Sequence, residues 1–389
     1  MSALRDFFLA ARLAWRQLRH DRAKLIAATM GVLFACILVF MQLGFRDSLN
    51  ASAASAPVRM TGDIFLIHKQ TEALWRTVPF ERSLMMRALA HPAVDHVWPL
   101  YMQLGQFKNL DTRGKRTLMV YGFDPDAGLM DIEAVRQHRE ELKLEDTVLF
   151  DRASRPEFGN VAVWLAEGRT WTELNDHRVN IIGLMLLGTS FAADGNVMTS
   201  ELNFQRIFPN RSLTYVDMGA IYLKPTQDRE QVKAELMPLL GSDVLVLTYP
   251  ELIRFEQKYW AEVAPIGFIF GFGVIMGLVV GMVIVYQILF TDISNNLGEF
   301  ATLKAMGYSQ GYLIRVVFAS ALILAVLGFI PGLLISIQLY RLAESVIFIP
   351  FPMPLSKIIS VFLFILAMCA VAGALAMRKL KDANPADMF

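Results

Sequence analysis

A Gly-Lys pair occurs at Gly114-Lys115, but Arg116 follows where a GxxxxGK[ST] phosphate loop needs Ser or Thr. That route to ATP hydrolysis is closed to the chain. Asp124-Pro125-Asp126-Ala127-Gly128 has the opening carboxylates of a calcium loop. Its glycine falls a residue early and the twelfth position is Val135 rather than a bidentate Glu, so calcium binding is not expected. His20, His68, His91, His96, His138 and His177 form no metal-ligand cluster, and each reads as an ordinary surface or core residue. Cys36 and Cys369 lie inside apolar runs and read as small core residues rather than reactive thiols or a disulfide. No nucleophile stands in a recognisable elbow. Catalytic residues, cofactor-binding residues and metal sites are all expected to be none, and the chain is not expected to be an enzyme.

A different chemistry, that of contact, is written into Asn295-Asn-Leu-Gly-Glu-Phe-Ala-Thr-Leu-Lys-Ala-Met-Gly307-Tyr308. Asn296 can cap a helix, and Glu299 stands at the third position of a capping box. Gly307 supplies a left-handed stop. Glu299 near the start and Lys304 near the end both suit the helix dipole. Leu297, Phe300, Leu303 and Met306 recur every third residue, so a short helix fixed at both ends would carry one apolar side. Two readings fit that side: a rigid surface for a partner that transmits force, or a loop helix tucked against a membrane.

The elements that position this segment follow from composition. Hydrophobic residues make up 54% and charged residues 19%, short of the roughly one quarter charged in soluble domains, so a membrane protein is expected. A net charge of +1 with no basic arm gives no sign of a nucleic-acid partner. Leu25–Phe45, Ile266–Phe290, Val316–Tyr340 and Ile358–Met377 contain no charged residue, and each reaches the about 20 residues that span hydrocarbon. A cleaved signal peptide is the rival for the first, with Ala51-Ser52-Ala53 as the cleavage site. Its apolar run is longer than the roughly 7–15 residues of a signal core, and Arg46 and Asp47 separate it from the alanines.

Arg5, Arg12, Arg16, Arg19, Arg22 and Lys24 precede the first span, and Arg378, Lys379 and Lys381 follow the fourth. Lys304 and Arg315 add to the loop between spans two and three, against Arg341 and Lys357 in the next loop, so both termini are expected in the cytoplasm. The spans hold no Asp, Glu, Lys or His of the kind that marks an ion path, so a proton- or sodium-driven carrier is not expected and energy must arrive from elsewhere. The expected plan is an amphipathic interfacial helix at 1–22, transmembrane helices at 23–45, 263–290, 314–340 and 358–377, and an outer domain with helical stalks at 46–262. A cytoplasmic loop at 291–313 holds the capped helix, a short outer loop lies at 341–357, and a cytoplasmic tail at 378–389.

Leu4, Phe7, Phe8, Ala11, Trp15 and Leu18 recur at helical spacing with arginines on an adjacent face, as in a helix lying in a membrane interface; a packed helix is the alternative. Span one is expected to continue to about Ser55, with Pro57 interrupting it, and Leu252–Glu262 to form a second stalk ending at Pro265. In the outer domain, strands are expected at 62–68, 94–107, 117–123, 214–223 and 243–248, and helices at 79–90 and 228–240. Strand–helix–strand near each end predicts a split ferredoxin-like α+β unit with an insertion at 124–213 that includes a strand at 178–187. Gly273, Gly277 and Gly281 are spaced by four, so span two can approach another helix closely, either in a second copy or within the monomer. Pro331 predicts a kink in span three.

The run "NNLGEFATLKAMGYSQGYL" resembles the signature of the FtsX/MacB-type permeases, the type VII ABC transporter systems, and is most similar to DevC-like exporter permease subunits. The tail "RKLKDANPADMF" is similar to the family's basic cluster followed by Asp-Pro-Ala, with Asn384 in place of the Asp, and "YGFDPD" at 121–126 fits the DevC-like pattern. The order of one span, a large domain and three spans covers the whole chain. The resemblance implies an α+β membrane protein of the inner (plasma) membrane, with four transmembrane helices and a MacB-like periplasmic porter plus an inserted subdomain. It implies a homodimer in membrane lipid, paired with a separate ABC ATPase subunit that carries the ATP. A periplasmic adaptor (membrane fusion) protein and, indirectly, an outer-membrane TolC-like channel would complete the assembly. Leu297, Glu299, Phe300, Leu303, Lys304 and Gly307 match the family's coupling helix. The function implied is export by mechanotransmission of a lipid-like, glycolipid or peptide substrate. The alternatives are an FtsX-like signalling transducer that regulates a periplasmic hydrolase, and a lipoprotein-release permease.

Overall fold

The computed structural model describes residues 2–263, 265–296, 298, 302, 306–307 and 310–382, with side chains for those between 9 and 377 apart from 310. Its helices are α1 Ser2–His20, α2 Arg22–Ala53, α3 Arg82–Met86, α4 Glu133–Gln137, α5 Val161–Ala166, α6 Glu201–Ile207, α7 Arg229–Leu240, α8 Tyr249–Lys258, α9 Pro265–Asn295, α10 Gln310–Ile347 and α11 Leu355–Asp382. The strands are β1 Ile64–His68, β2 Phe80–Glu81, β3 Val94–Lys108, β4 Lys115–Phe123, β5 Thr147–Asp151, β6 Trp171–Leu174, β7 His177–Met185, β8 Asn196–Ser200, β9 Tyr215–Val216, β10 Met218–Leu223 and β11 Val244–Thr248. The chain divides into two compact units. One holds residues 1–47, 267–344 and 351–389, the other residues 48–266 and 345–350.

The second unit is a mixed α+β domain. Strands β11-β1-β10-β3 stand in that order, every neighbouring pair antiparallel, with a helical connection between β1 and β3 and α7 between β10 and β11. This is the split ferredoxin-like unit. Both faces of β1 are covered. Ile64 and Leu66 enter one apolar cluster and Phe65 and Ile67 the other, which is why the strand reads as a continuous apolar run rather than an alternating one. Val232, Leu236 and Leu240 give α7 a buried stripe at helical spacing, and the Asp228 carboxylate caps it by accepting the Glu230 N–H at 3.0 Å.

The insertion extends the same sheet as β3-β4-β8-β5-β7-β6, and β6 returns to pair with β3 through Phe107 and Leu174. Six strands thus close into a ring, a feature that the pattern of residues 124–213 did not predict. The Gly114-Lys115-Arg116 turn is tied down by ion pairs: Lys115 to Asp176, and Arg116 to Glu157 and Asp194. Asp124 accepts the Asp126 N–H at 2.9 Å and so caps a short turn.

The first unit is helical. Among the described residues, four helices are long and apolar enough to cross a membrane: Arg22–Ala53, Pro265–Asn295, Gly311–Ile347 and Leu355–Met377. Their boundaries differ in places from the sequence plan. The second helix continues to Asn295, beyond 290. The third runs on to Ile347 and passes through Pro331 without interruption. Ahead of Pro265, residues Tyr259–Val263 form a π-turn, consistent with a proline that offers no N–H and crowds the carbonyl four residues back. Between α1 and α2, Asp21 accepts the Lys24 N–H at 3.1 Å and pairs with its ammonium at 2.9 Å. That contact holds the Asp21 carboxyl below its ordinary range. Helix α1 packs Ala10 and Ala14 against Val316 and Ala319 of α10, while Leu9 and Trp15 remain exposed. The small residues of that helix form a packing face, and larger apolar side chains stay exposed beside it.

Candidate functional site

The segment between α9 and α10 is approached from helices whose polar side chains look inward to their own backbones. Thr291 donates to the Gln287 carbonyl at 2.8 Å and Ser294 to the Phe290 carbonyl at 2.7 Å. Such bonds to the residue four back let hydroxyls sit in an apolar helix at little cost. The Asn296 N–H still bonds the Asp292 carbonyl at 3.0 Å, and its side-chain amide donates to the Asp292 carboxylate at 3.2 Å. Asn296 therefore belongs to the last turn of α9 as well as to the junction that sequence pattern gave it.

Beyond the junction, Gly298 and Thr302 are helical and exposed. Thr302 donates to the Gly298 carbonyl at 2.9 Å, and the Met306 N–H bonds the Thr302 carbonyl at 2.9 Å. Met306 is 64% exposed, an apolar side chain facing outward in the monomer. Gly307 follows with φ +91° and nothing within 4 Å of the position a Cβ would take. Glycine is used here for its backbone freedom, not for space. Leu297, Glu299, Phe300, Leu303 and Lys304 lie outside the described residues.

Gly273, Gly277 and Gly281 of α9 face α2 within the same chain. A Cβ on Gly273 would come 2.4 Å from the Gln42 side chain, one on Gly277 3.2 Å from Leu38, and one on Gly281 2.5 Å from the Ala35 Cβ and 2.6 Å from the Met368 sulfur of α11. The three contacts descend α9 as their partners ascend α2, so two antiparallel helices meet along a strip of small residues.

Lys357 and Glu256 are among the buried charged groups that the sequence pattern did not single out. Lys357, counted there as a loop cation, has a side chain only 5% exposed and pairs with Asp47 at 2.9 Å. Glu256 is 4% exposed, and burial pushes its carboxyl up from the ordinary range. Its signal was available: Leu252, Glu256 and Trp260 recur every fourth residue, which places a carboxylate in an otherwise apolar stripe.

Comparison with protein families matches residues 271–385 to the FtsX-like permease C-terminal family, a stretch that contains α10, most of α9 and the segment between them. Comparison with curated protein sequences gives no significant match. Among solved structures, the periplasmic region of MacB from Actinobacillus actinomycetemcomitans is similar over 50% of this chain and 92% of its own, at 10% identity and a TM-score of 0.35. The extracellular domain of the noncanonic ABC-type transporter YknZ from Gram-positive bacteria is similar over 48% and 99%, at 10% identity and a TM-score of 0.33. A domain of a permease protein from Porphyromonas gingivalis is similar over 49% and 89%, at 12% identity and a TM-score of 0.30.

Proposed function

We propose, for a chain whose residues 271–385 are an FtsX-like permease C-terminal domain, that it is the membrane subunit through which a separate ABC ATPase drives export. The observation that carries this reading is the segment between α9 and α10. It sits inside the matched region, has helical residues at 298 and 302 and an outward Met306, and ends on the left-handed Gly307. A helix between two spans, stopped at a fixed point and apolar on one side, fits a groove on a partner that moves. Leu297, Glu299, Phe300, Leu303 and Lys304 would contact that partner, with Gly307 fixing where the helix ends.

In this reading the chain lies in the inner membrane, and the basic residues of α1, the first turn of α2 and the last turns of α11 hold both termini in the cytoplasm. The α+β domain lies in the periplasm. ATP is bound and hydrolysed on the partner, and two copies of this chain are drawn together by it. The stalks that continue α2 and precede α9 pass the motion outward, where the α+β domain engages a periplasmic adaptor and through it an outer-membrane channel. A lipid-like, glycolipid or peptide substrate then need not pass between spans that carry no charged residue along their cores. Replacing Glu299 and Phe300 together by Ala is expected to lower recovery of the ATPase subunit on pull-down while membrane insertion persists. Undiminished recovery removes the helix from the mechanism. Cross-linking that captures a cell-wall hydrolase instead of an adaptor would turn the same coupling into a signalling relay.

A further inference from the structure

Within the α+β domain, a cavity of about 40 Å³ opens beside Glu256. The carboxylate accepts the Leu74 N–H at 2.8 Å on Oε2 and the Trp260 indole N–H at 3.0 Å on Oε1. Both donors are neutral. Among the described residues, the cavity wall contains no lysine, arginine or histidine. A buried carboxylate normally has a counter-charge, because two neutral donors do not replace the hydration an anion loses. Here the fold supplies none.

Two further polar groups belong to the wall. Tyr121 is 6% exposed, lines the cavity, and feels the charge of Glu256. The indole N–H of Trp75, also in the wall, is buried without an acceptor. The aromatic residues Trp75, Tyr121, Phe191 and Trp260 line the space. An anion surrounded by aromatic rings is the setting that recognises an ammonium group. A divalent metal fits poorly, since one carboxylate whose oxygens both already accept N–H bonds cannot supply the roughly six to eight oxygens of a calcium shell. The volume holds roughly three water-sized groups, enough for an ammonium nitrogen and a short carbon tether.

We propose that this cavity binds an ethanolamine unit, with Glu256 as counter-charge to the ammonium, the Tyr121 hydroxyl as a second acceptor for it, and the Trp75 N–H donating to the oxygen two carbons away. The unit could come from a free amino alcohol or from an ethanolamine lipid headgroup. Burial pushes the Glu256 carboxyl up, and an ammonium group beside it favours the ionised form, so binding should draw off whatever proton the carboxyl holds. The assignment does not rest on ATPase coupling: the residues that line the cavity all belong to the α+β unit.

The test uses the full chain in detergent, titrated with ethanolamine and followed by tryptophan fluorescence. Saturable binding with proton release is expected. Glu256→Gln should weaken it by roughly thirtyfold, as for loss of one partner of a buried charge pair. Tyr121→Phe removes one acceptor and keeps the ring, so it should weaken binding by roughly fivefold with an unchanged melting temperature. Absence of saturable binding to the folded protein overturns the proposal, as does equal affinity in either variant. Nanodiscs of phosphatidylethanolamine, set against phosphatidylglycerol, separate the sources. Competition with free ethanolamine only in the former supports the proposal with a lipid headgroup as occupant, and equal affinity in both supports it with a free amine.

Discussion

Lys357 stands in the first turns of α11, yet its ammonium is buried among partners from across the helical unit. It pairs with Asp47 at 2.9 Å, donates to the Pro352 carbonyl at 2.7 Å, and lies 5.3 Å from the centre of the Tyr340 ring. The Tyr340 hydroxyl in turn donates to the Phe40 carbonyl. One lysine therefore ties the ends of α2, α10 and α11 together. Removing a partner from a buried pair costs about 3–5 kcal/mol, but Asp47 keeps 34% of its side-chain surface, and water there screens part of the loss. Lys357→Met is expected to destabilise the helical unit by about 1–3 kcal/mol, read as a lower melting temperature in detergent, and Asp47→Asn in the same chain should restore part of it. An unchanged melting temperature for Lys357→Met would show the pair to be idle. Nothing adjacent in sequence announces this role. Lys357 reads as a loop cation because Asp47 and Phe40 are some three hundred positions away, and only packing brings them near.

The strip of small residues between α9 and α2 was legible as a spacing, but the spacing alone left open which helix it would meet. Shape decides it: Gly281 faces Ala35 and Met368 of its own chain at distances no Cβ tolerates. Gly281→Ala should cost about 1–3 kcal/mol through overpacking, whereas Gly271→Ala on the same helix, with nothing within 4 Å of its added carbon, should leave the melting temperature where it was. Equal effects at both positions would mean that helix propensity, not the interface, sets the outcome. In the α+β domain the strands of the ferredoxin-like unit could be read because they pair as antiparallel neighbours around apolar runs. The closed ring of the insertion could not. Strands β5 and β8 are wholly buried but contain Thr147, Asp151, Asn196 and Thr199. These are made tolerable by bonds such as Asn196 to Asp151 at 2.8 Å and Thr199 to the Thr147 carbonyl at 2.7 Å. A polar residue whose partner is another strand's polar residue looks like a surface residue until the strands are paired. In the segment between α9 and α10 the legible part was local: Gly307 has a φ of +91°, which only glycine adopts freely.

At the scale of the whole molecule, the proposed function depends on which side of the membrane each part faces, and that is fixed by charge rather than by packing. Arg12, Arg16 and Arg19 of α1, with Arg22 and Lys24 at the start of α2, form a short basic segment, the setting in which basic residues govern insertion. If they stay inside, a single crossing by α2 puts the α+β domain outside, and α9 brings the coupling segment back in. The chain lends itself to a direct measurement because its own cysteines, Cys36 and Cys369, are 0% and 1% exposed and should stay silent toward a membrane-impermeant maleimide. A cysteine at Thr112, on the exposed turn between β3 and β4, is expected to react in intact spheroplasts. A cysteine at Thr302, exposed on the helix between α9 and α10, is expected to react only after lysis. The reverse pattern would place Met306 and the rest of this segment where no ATP is present, and energy from nucleotide could then not enter the molecule by this route. Labelling of both sites in intact cells would mean that one of the four long helices fails to cross. Only the predicted asymmetry lets the helix near Met306 be an input and the α+β domain an output of the same machine.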